Sequence, residues 1–162
     1  MKGLALISIM ALSVPLARPA DTDSMESVVR AVYDVISGPA GARDWARFHA
    51  LFADGARLIS IRVTPDGPTT NVMTPDDYAR RAAASMEKNG FFESEIARRV
   101  ETFGSIAHVF STYESRRAPS DKPFARGINS FQLVKDGRGW KVMTILWDAE
   151  REGQVIPEKY LK

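Results

Sequence analysis

The sequence predicts an α+β fold in which helices lie on one face of an antiparallel sheet. Before residue 90, apolar residues recur at helical spacing in three segments; from Phe91 onward the pattern changes to period two, in four strand-length segments separated by turn residues. The length of 162 residues suits one domain, and a domain of that size buries roughly 68–70% of the surface its unfolded chain exposes. A core with an internal pocket is therefore feasible.

Residues 1–20, MKGLALISIMALSVPLARPA, place one Lys before an apolar run from Leu4 to Val14 and small residues after it. That layout predicts a secretory signal peptide, cut after Ala17 or Ala20, with the domain over 21–150 and a tail over 151–162. The run is apolar all round, as a buried helix would be, but it ends in prolines and is short for a bilayer span. Export, to a periplasm or outside the cell, is the expectation, with no membrane contact in the mature form.

The first helix follows in TDSMESVVRAVYDVISG, capped by Asp23 or Ser24, with Val28, Val29, Val32, Tyr33, Val35 and Ile36 on its apolar side and Gly38-Pro39 at its end. In RDWARFHALFADGARL, residues Trp45, Phe48, Leu51 and Phe52 predict a second helix that Asp54-Gly55 stops, before a strand over 56–63. Residues 64–77, rich in Pro, Gly and Thr, read as a loop. Thr74-Pro75-Asp76-Asp77 then starts a third helix, closed near Asn89-Gly90. The strands are expected near 91–103, 105–116, 124–135 and 139–148.

Composition excludes several functions. A net charge of +2, with basic residues dispersed, argues against nucleic acid. With no cysteine there is neither a disulfide framework nor a thiolate site. Two histidines, His49 and His108, without a carboxylate at ligand spacing make no metal centre, and no Gly-x-Ser-x-Gly elbow occurs. Nothing in the sequence calls for a cofactor.

Alternation divides each strand into two faces. Arg126, Ile128, Ser130 and Gln132 oppose Gly127, Asn129, Phe131 and Leu133, so Arg126 and Asn129 point apart. Tyr113 shares a face with the small residues Ser105, Ala107, Val109 and Ser111, whereas His108 shares the other with Phe110. Glu93 and Glu95 fall with Arg99 and Glu101, a pattern expected of a solvated face. A guanidinium on a central strand needs a partner, so Arg126 is expected to pair with Glu114 or to receive a carboxylate-bearing ligand. The last strand is apolar on both faces, which predicts burial on both sides and a homodimer formed through the sheet.

The stretches DWARFHALFADGARLI, TPDDYARRAA and GINSFQLVKDGRGWKVMTILWD resemble the nuclear transport factor 2-like superfamily, especially its polyketide-cyclase-like and ketosteroid-isomerase-like bacterial members, over about residues 24–150. The resemblance implies a curved sheet wrapped by three helices into a cone with an apolar cavity. It also implies a site built from few polar groups, for which Tyr33, Trp45, His49, His108, Tyr113, Arg126, Asn129 and Trp147 are the lining candidates. For acid/base chemistry the candidates are Tyr33 as phenol with Asp54 or His108, although Asp54 also reads as a helix-ending turn residue. The expected function is a small-ligand-binding domain or interaction module. An isomerase, dehydratase or cyclase acting by proton transfer on a carbonyl compound is the alternative, and a structural dimer with a self-filled cavity is the third. Without a cavity of about 300 Å³ or more between helices and sheet, the first two lose most of their support.

Overall fold

The computed structural model describes residues 19–162, so the expected signal peptide lies, except for Pro19 and Ala20, outside the described residues. A single helical turn, α1 (Pro19–Thr22), leads into α2 (Met25–Ile36). The Ser24 side chain caps α2 by accepting from the Ser27 N–H at 3.1 Å, and the predicted apolar side is buried from Val28 to Ile36. Asp44 caps α3 (Trp45–Ala50), and Thr74 caps α4 (Pro75–Met86) with a reciprocal capping box to Asp77.

Six strands follow the order β2-β1-β6-β5-β4-β3 in one curved, unclosed sheet. They are β1 (Phe52–Thr64), β2 (Gly67–Met73), β3 (Phe92–Phe103), β4 (Ile106–Arg116), β5 (Ala125–Asp136) and β6 (Gly139–Ala149). All neighbours pair antiparallel except β1 with β6, which run parallel. Helix α2 packs across the concave face, where Val28, Val29, Phe48, Val109, Phe131 and Val142 make the innermost core. The α+β cone expected from the sequence is the observed architecture.

Three local expectations are corrected. The second helix ends at Ala50, not at Asp54-Gly55, and Phe52 already pairs with Val142 in β1. The Asp-Gly pair instead forms an irregularity inside β1: the register to β6 shifts between Phe52 and Arg57, and Gly55 takes φ +79°. Turn chemistry fits a bulge as well as a helix end. The expected loop over 64–77 is largely a hairpin, because Pro65-Asp66 turns the chain and β2 pairs back from Thr64↔Gly67 to Leu58↔Met73. β2 is an edge strand, where a sheet tolerates Pro68.

The doubly apolar last strand has a different cause from strict alternation. Gln132 pairs with Thr144 and Leu133 with Val142, which leaves Met143 as an extra residue. The bulge places Val142, Ile145 and Trp147 toward the helices, while Met143 and Leu146 stay 37% and 39% exposed on the convex face. Part of that convex face is covered by the chain's own tail. Ile156 is 9% exposed, the Thr112 hydroxyl donates to the Tyr160 carbonyl at 2.6 Å, and the Phe110 and Tyr160 rings lie 4.9 Å apart.

Candidate functional site

Between the helices and the concave face opens a cleft of about 240 Å³, below the ~300 Å³ expected of a ligand pocket, so its volume does not meet the size expectation and any case for a ligand rests on its lining. Its walls are mainly aromatic and aliphatic, including Tyr78 from α4, Phe91, Tyr113 from β4, Phe124 and Phe131, and Ile145 and Trp147 from β6. Tyr78 meets Trp147 edge-on at 6.4 Å and stacks on Phe48 at 5.4 Å. The polar groups among the lining residues are Glu93, Ser115, Asn129, the two phenols and the Trp147 indole N–H.

Glu93 is held from both ends. Its N–H donates to Ser37 Oγ at 3.0 Å, which ties the start of β3 to the end of α2, and the Gly38–Phe91 bridge secures the same junction. One carboxylate oxygen accepts from Ser115 Oγ at 2.7 Å and the other from Asn129 Nδ2 at 3.4 Å. Asn129 also donates to the Tyr33 hydroxyl at 3.0 Å, which lies 2.7 Å from Ser111 Oγ, and Ser111 in turn donates to Glu95, itself paired with Arg98. A hydrogen-bonded line thus runs from the cleft carboxylate through the core to the surface.

Burial pushes the Glu93 carboxyl up to about 7, against the lowering effect of its bonds from Ser115 and Asn129. Burial likewise raises the Tyr78 and Tyr113 phenols, and the Glu93 charge adds to both shifts. Neither phenol bonds to another described residue. Tyr113 reaches over Gly127, where a Cβ would stand 2.5 Å from its hydroxyl and 2.4 Å from the Asp148 carbonyl. The arrangement offers a carboxyl group poised to gain or lose a proton near neutrality, beside two phenols that can donate or accept.

Of the residues singled out in the sequence, Tyr113, Asn129 and Trp147 line this cleft, and Tyr33 lies directly behind it, bonded to Asn129. The others lie elsewhere. Trp45 packs edge-on against Phe48 at the margin of the core. His49 points to the α3–α4 surface, its Nδ1 on the Trp45 carbonyl and its Nε2 2.7 Å from Asp76 Oδ1 without hydrogen-bond alignment. His108 is on the convex face, 3.0 Å from Ser130 Oγ, because β4 alternates regularly and Tyr113 takes the inward parity. Arg126 is also convex. It pairs bidentately with Glu150 at 2.8 and 3.0 Å rather than with Glu114, which turns to Arg116. Asp54 is exposed in the β1 irregularity, away from the cleft.

The sequence reading missed Tyr78, Ser115, Phe91 and Phe124, and it placed Glu93 on a solvated face where the structure buries it in the cleft. For Glu93 the reason is a bulge: Glu95 pairs with Tyr113 and Ala97 with Thr112, so Ile96 is extra and the parity of β3 switches there. Glu93 and Glu95 consequently face inward, while Arg99 and Glu101 face outward. The available signal was the facing pair of small residues, Ser111 and Ser115, on the same inward parity as Tyr113.

No protein-family model matches the sequence, and no curated protein matches it. Solved structures do match by shape. A candidate dehydratase from the NTF2-like family of Streptomyces avermitilis superposes with a TM-score of 0.60 at 13% identity, covering 81% of this chain and 96% of that one. A candidate ketosteroid isomerase from Parabacteroides distasonis gives 0.55 at 13% identity, covering 82% and 97%. A protein of unknown function with a cystatin-like fold from Nostoc punctiforme gives 0.59 at 9% identity, covering 78% and 88%. These identities speak to fold alone, and with the helix order, strand order and curved sheet described above they identify the fold of this chain as the cystatin-like, nuclear transport factor 2-like fold.

Proposed function

We propose that this chain is an exported domain that binds a small, partly apolar organic ligand in the cleft between helices and sheet. One observation carries the reading: Glu93, Tyr78 and Tyr113 converge on a mainly apolar cleft with hydrogen-bonding capacity left unused. Buried polar groups are normally satisfied, so unused capacity in a cleft marks the place for a partner. Native mass spectrometry of the mature chain, purified gently from an exporting host, tests this. A mass lost on denaturation and absent from a Trp147→Ala variant supports the reading, and an empty chain that also takes up no small-molecule probe refutes it. The denatured mass locates the signal cleavage. A homodimer formed through the uncovered part of the convex face completes the proposal.

A second reading, isomerase, dehydratase or cyclase chemistry on a carbonyl compound, is favoured by the Glu93 carboxyl near 7 beside two phenols. In that reading ionised Glu93 removes a proton next to the carbonyl and a phenol donates to the oxygen that becomes negative. The candidate isomerase and dehydratase of like fold lend it analogy only.

A further inference from the structure

The lining of the cleft bears on the chemical class of its ligand. The aromatic rings of Tyr78, Phe91, Tyr113, Phe124, Phe131 and Trp147 surround one acidic side chain, Glu93, and no Lys, Arg or His lines the cleft. Among the described residues no cation pairs with Glu93. Arg30 and Arg98 border a separate surface depression with it, and Arg98 is bonded to Glu95. Arg117 touches a lining ring, 4.4 Å from the Phe124 centroid, but does not itself line the cleft. A carboxylate placed in apolar surroundings without a counter-ion is costly, and a ligand that brings the counter-ion removes that cost. Aromatic faces attract cations in addition, whereas an anionic ligand would meet repulsion from ionised Glu93 and find no cationic partner among the lining residues.

We propose that the cleft selects a small organic cation, a protonated amine on an apolar body, with Glu93 as its counter-ion, the phenols of Tyr78 and Tyr113 as acceptors of its N–H groups, and the aromatic rings as its walls. This inference rests on the reading of the cleft as a ligand site and narrows it. The groups facing Glu93 are Tyr33 from α2, Tyr78 from α4, Ser115 and Tyr113 from β4 and Asn129 from β5, with Glu95 on its own strand and Asp148 of β6 beside Tyr113. All are neutral or acidic. None carries a positive charge that would repel an incoming cation.

The test uses three probes of similar size, 3-phenylpropylammonium, the neutral ketone 4-phenylbutan-2-one and the anion 3-phenylpropanoate, titrated calorimetrically and by Trp fluorescence at pH 8.0 and 5.5. The ammonium probe is expected to bind at least ten-fold more tightly than the other two at pH 8.0. Its affinity should fall on the order of 30-fold at pH 5.5, where a carboxyl titrating near 7 is almost wholly protonated. Glu93→Gln should remove both the preference and the pH dependence, and the wild-type pH series stands alone should that variant misfold. Ketone binding equal to or tighter than ammonium binding, or ammonium affinity indifferent to pH, overturns the inference while leaving a ligand site in place. Binding of none of the three overturns the ligand reading as well.

Discussion

At the scale of the residue, Glu93 makes the fold pH-sensitive in an unusual direction. A carboxyl raised from 4.5 to about 7 binds its proton more tightly folded than unfolded. The stabilisation is therefore fully present below about pH 4.5 and is lost as pH rises through 7. The shift corresponds to about 3 kcal/mol at most. Asp77, Asp148 and Glu150 have depressed values, and their stabilisation is lost only on the acid side, so the two effects separate in pH. Urea unfolding at pH 5 and pH 8 should show the wild type losing about 1–3 kcal/mol more than Glu93→Gln across that interval. Equal losses would mean that Glu93 ionises without cost, contrary to its placement. The site was half legible at this scale. Strand parity sets Tyr113 against His108 and Asn129 against Arg126 without choosing the inward member, and Glu93 depends on the Ile96 bulge, which leaves no mark in composition because it is set by how the sheet must curve.

At the scale of the element, the helices were read from their caps and the strands from their period, and errors fell where local chemistry serves two structures equally. Ser24, one of the two caps the sequence offered, and Thr74 each accept the backbone N–H three residues on. Asp54-Gly55 and Pro65-Asp66-Gly67 carry turn residues too, yet one makes a strand irregularity and the other a hairpin. What decides is the demand of the sheet for a strand beside β6, a long-range condition that no window of local sequence contains. The α4 cap is the cleanest place to measure a local contribution, because Thr74 touches Asp77 through both its backbone N–H and its hydroxyl. Thr74→Ala should cost about 1 kcal/mol, with a range of roughly 0.5–2, and lower the melting temperature by about 2–4 °C for each kcal/mol. A loss near zero would show that Asp77 and Pro75 start the helix without the hydroxyl.

At the scale of the molecule, two faces of one sheet serve different ends. The concave face holds the core and the cleft; the convex face is divided between the tail and solvent. The tail is fixed by the Arg126–Glu150 pair, by the Glu150 carboxylate accepting the Ile156 N–H at 3.0 Å, and by Arg99 donating to the Lys159 carbonyl at 2.8 Å. It covers Phe110 and Thr112 but leaves Leu146 and Met143 partly open, together with Ile106 at 59% exposure where β4 begins. Leu146 and Met143 lie on β6 and Ile106 on β4, with β5 between them; burying such exposed apolar side chains is where a partner would gain. The proposed homodimer would place Leu146 of each copy near the twofold axis, beyond the edge of the tail. Leu146→Lys keeps the strand and adds a desolvation cost and a like-charge repulsion at that position. Light scattering after size exclusion should then report a dimer for the wild type at tens of micromolar and a monomer for the variant, with unchanged far-ultraviolet dichroism. A monomeric wild type would instead assign the open residues to solvent, and the tail would be the only cover that the convex face requires.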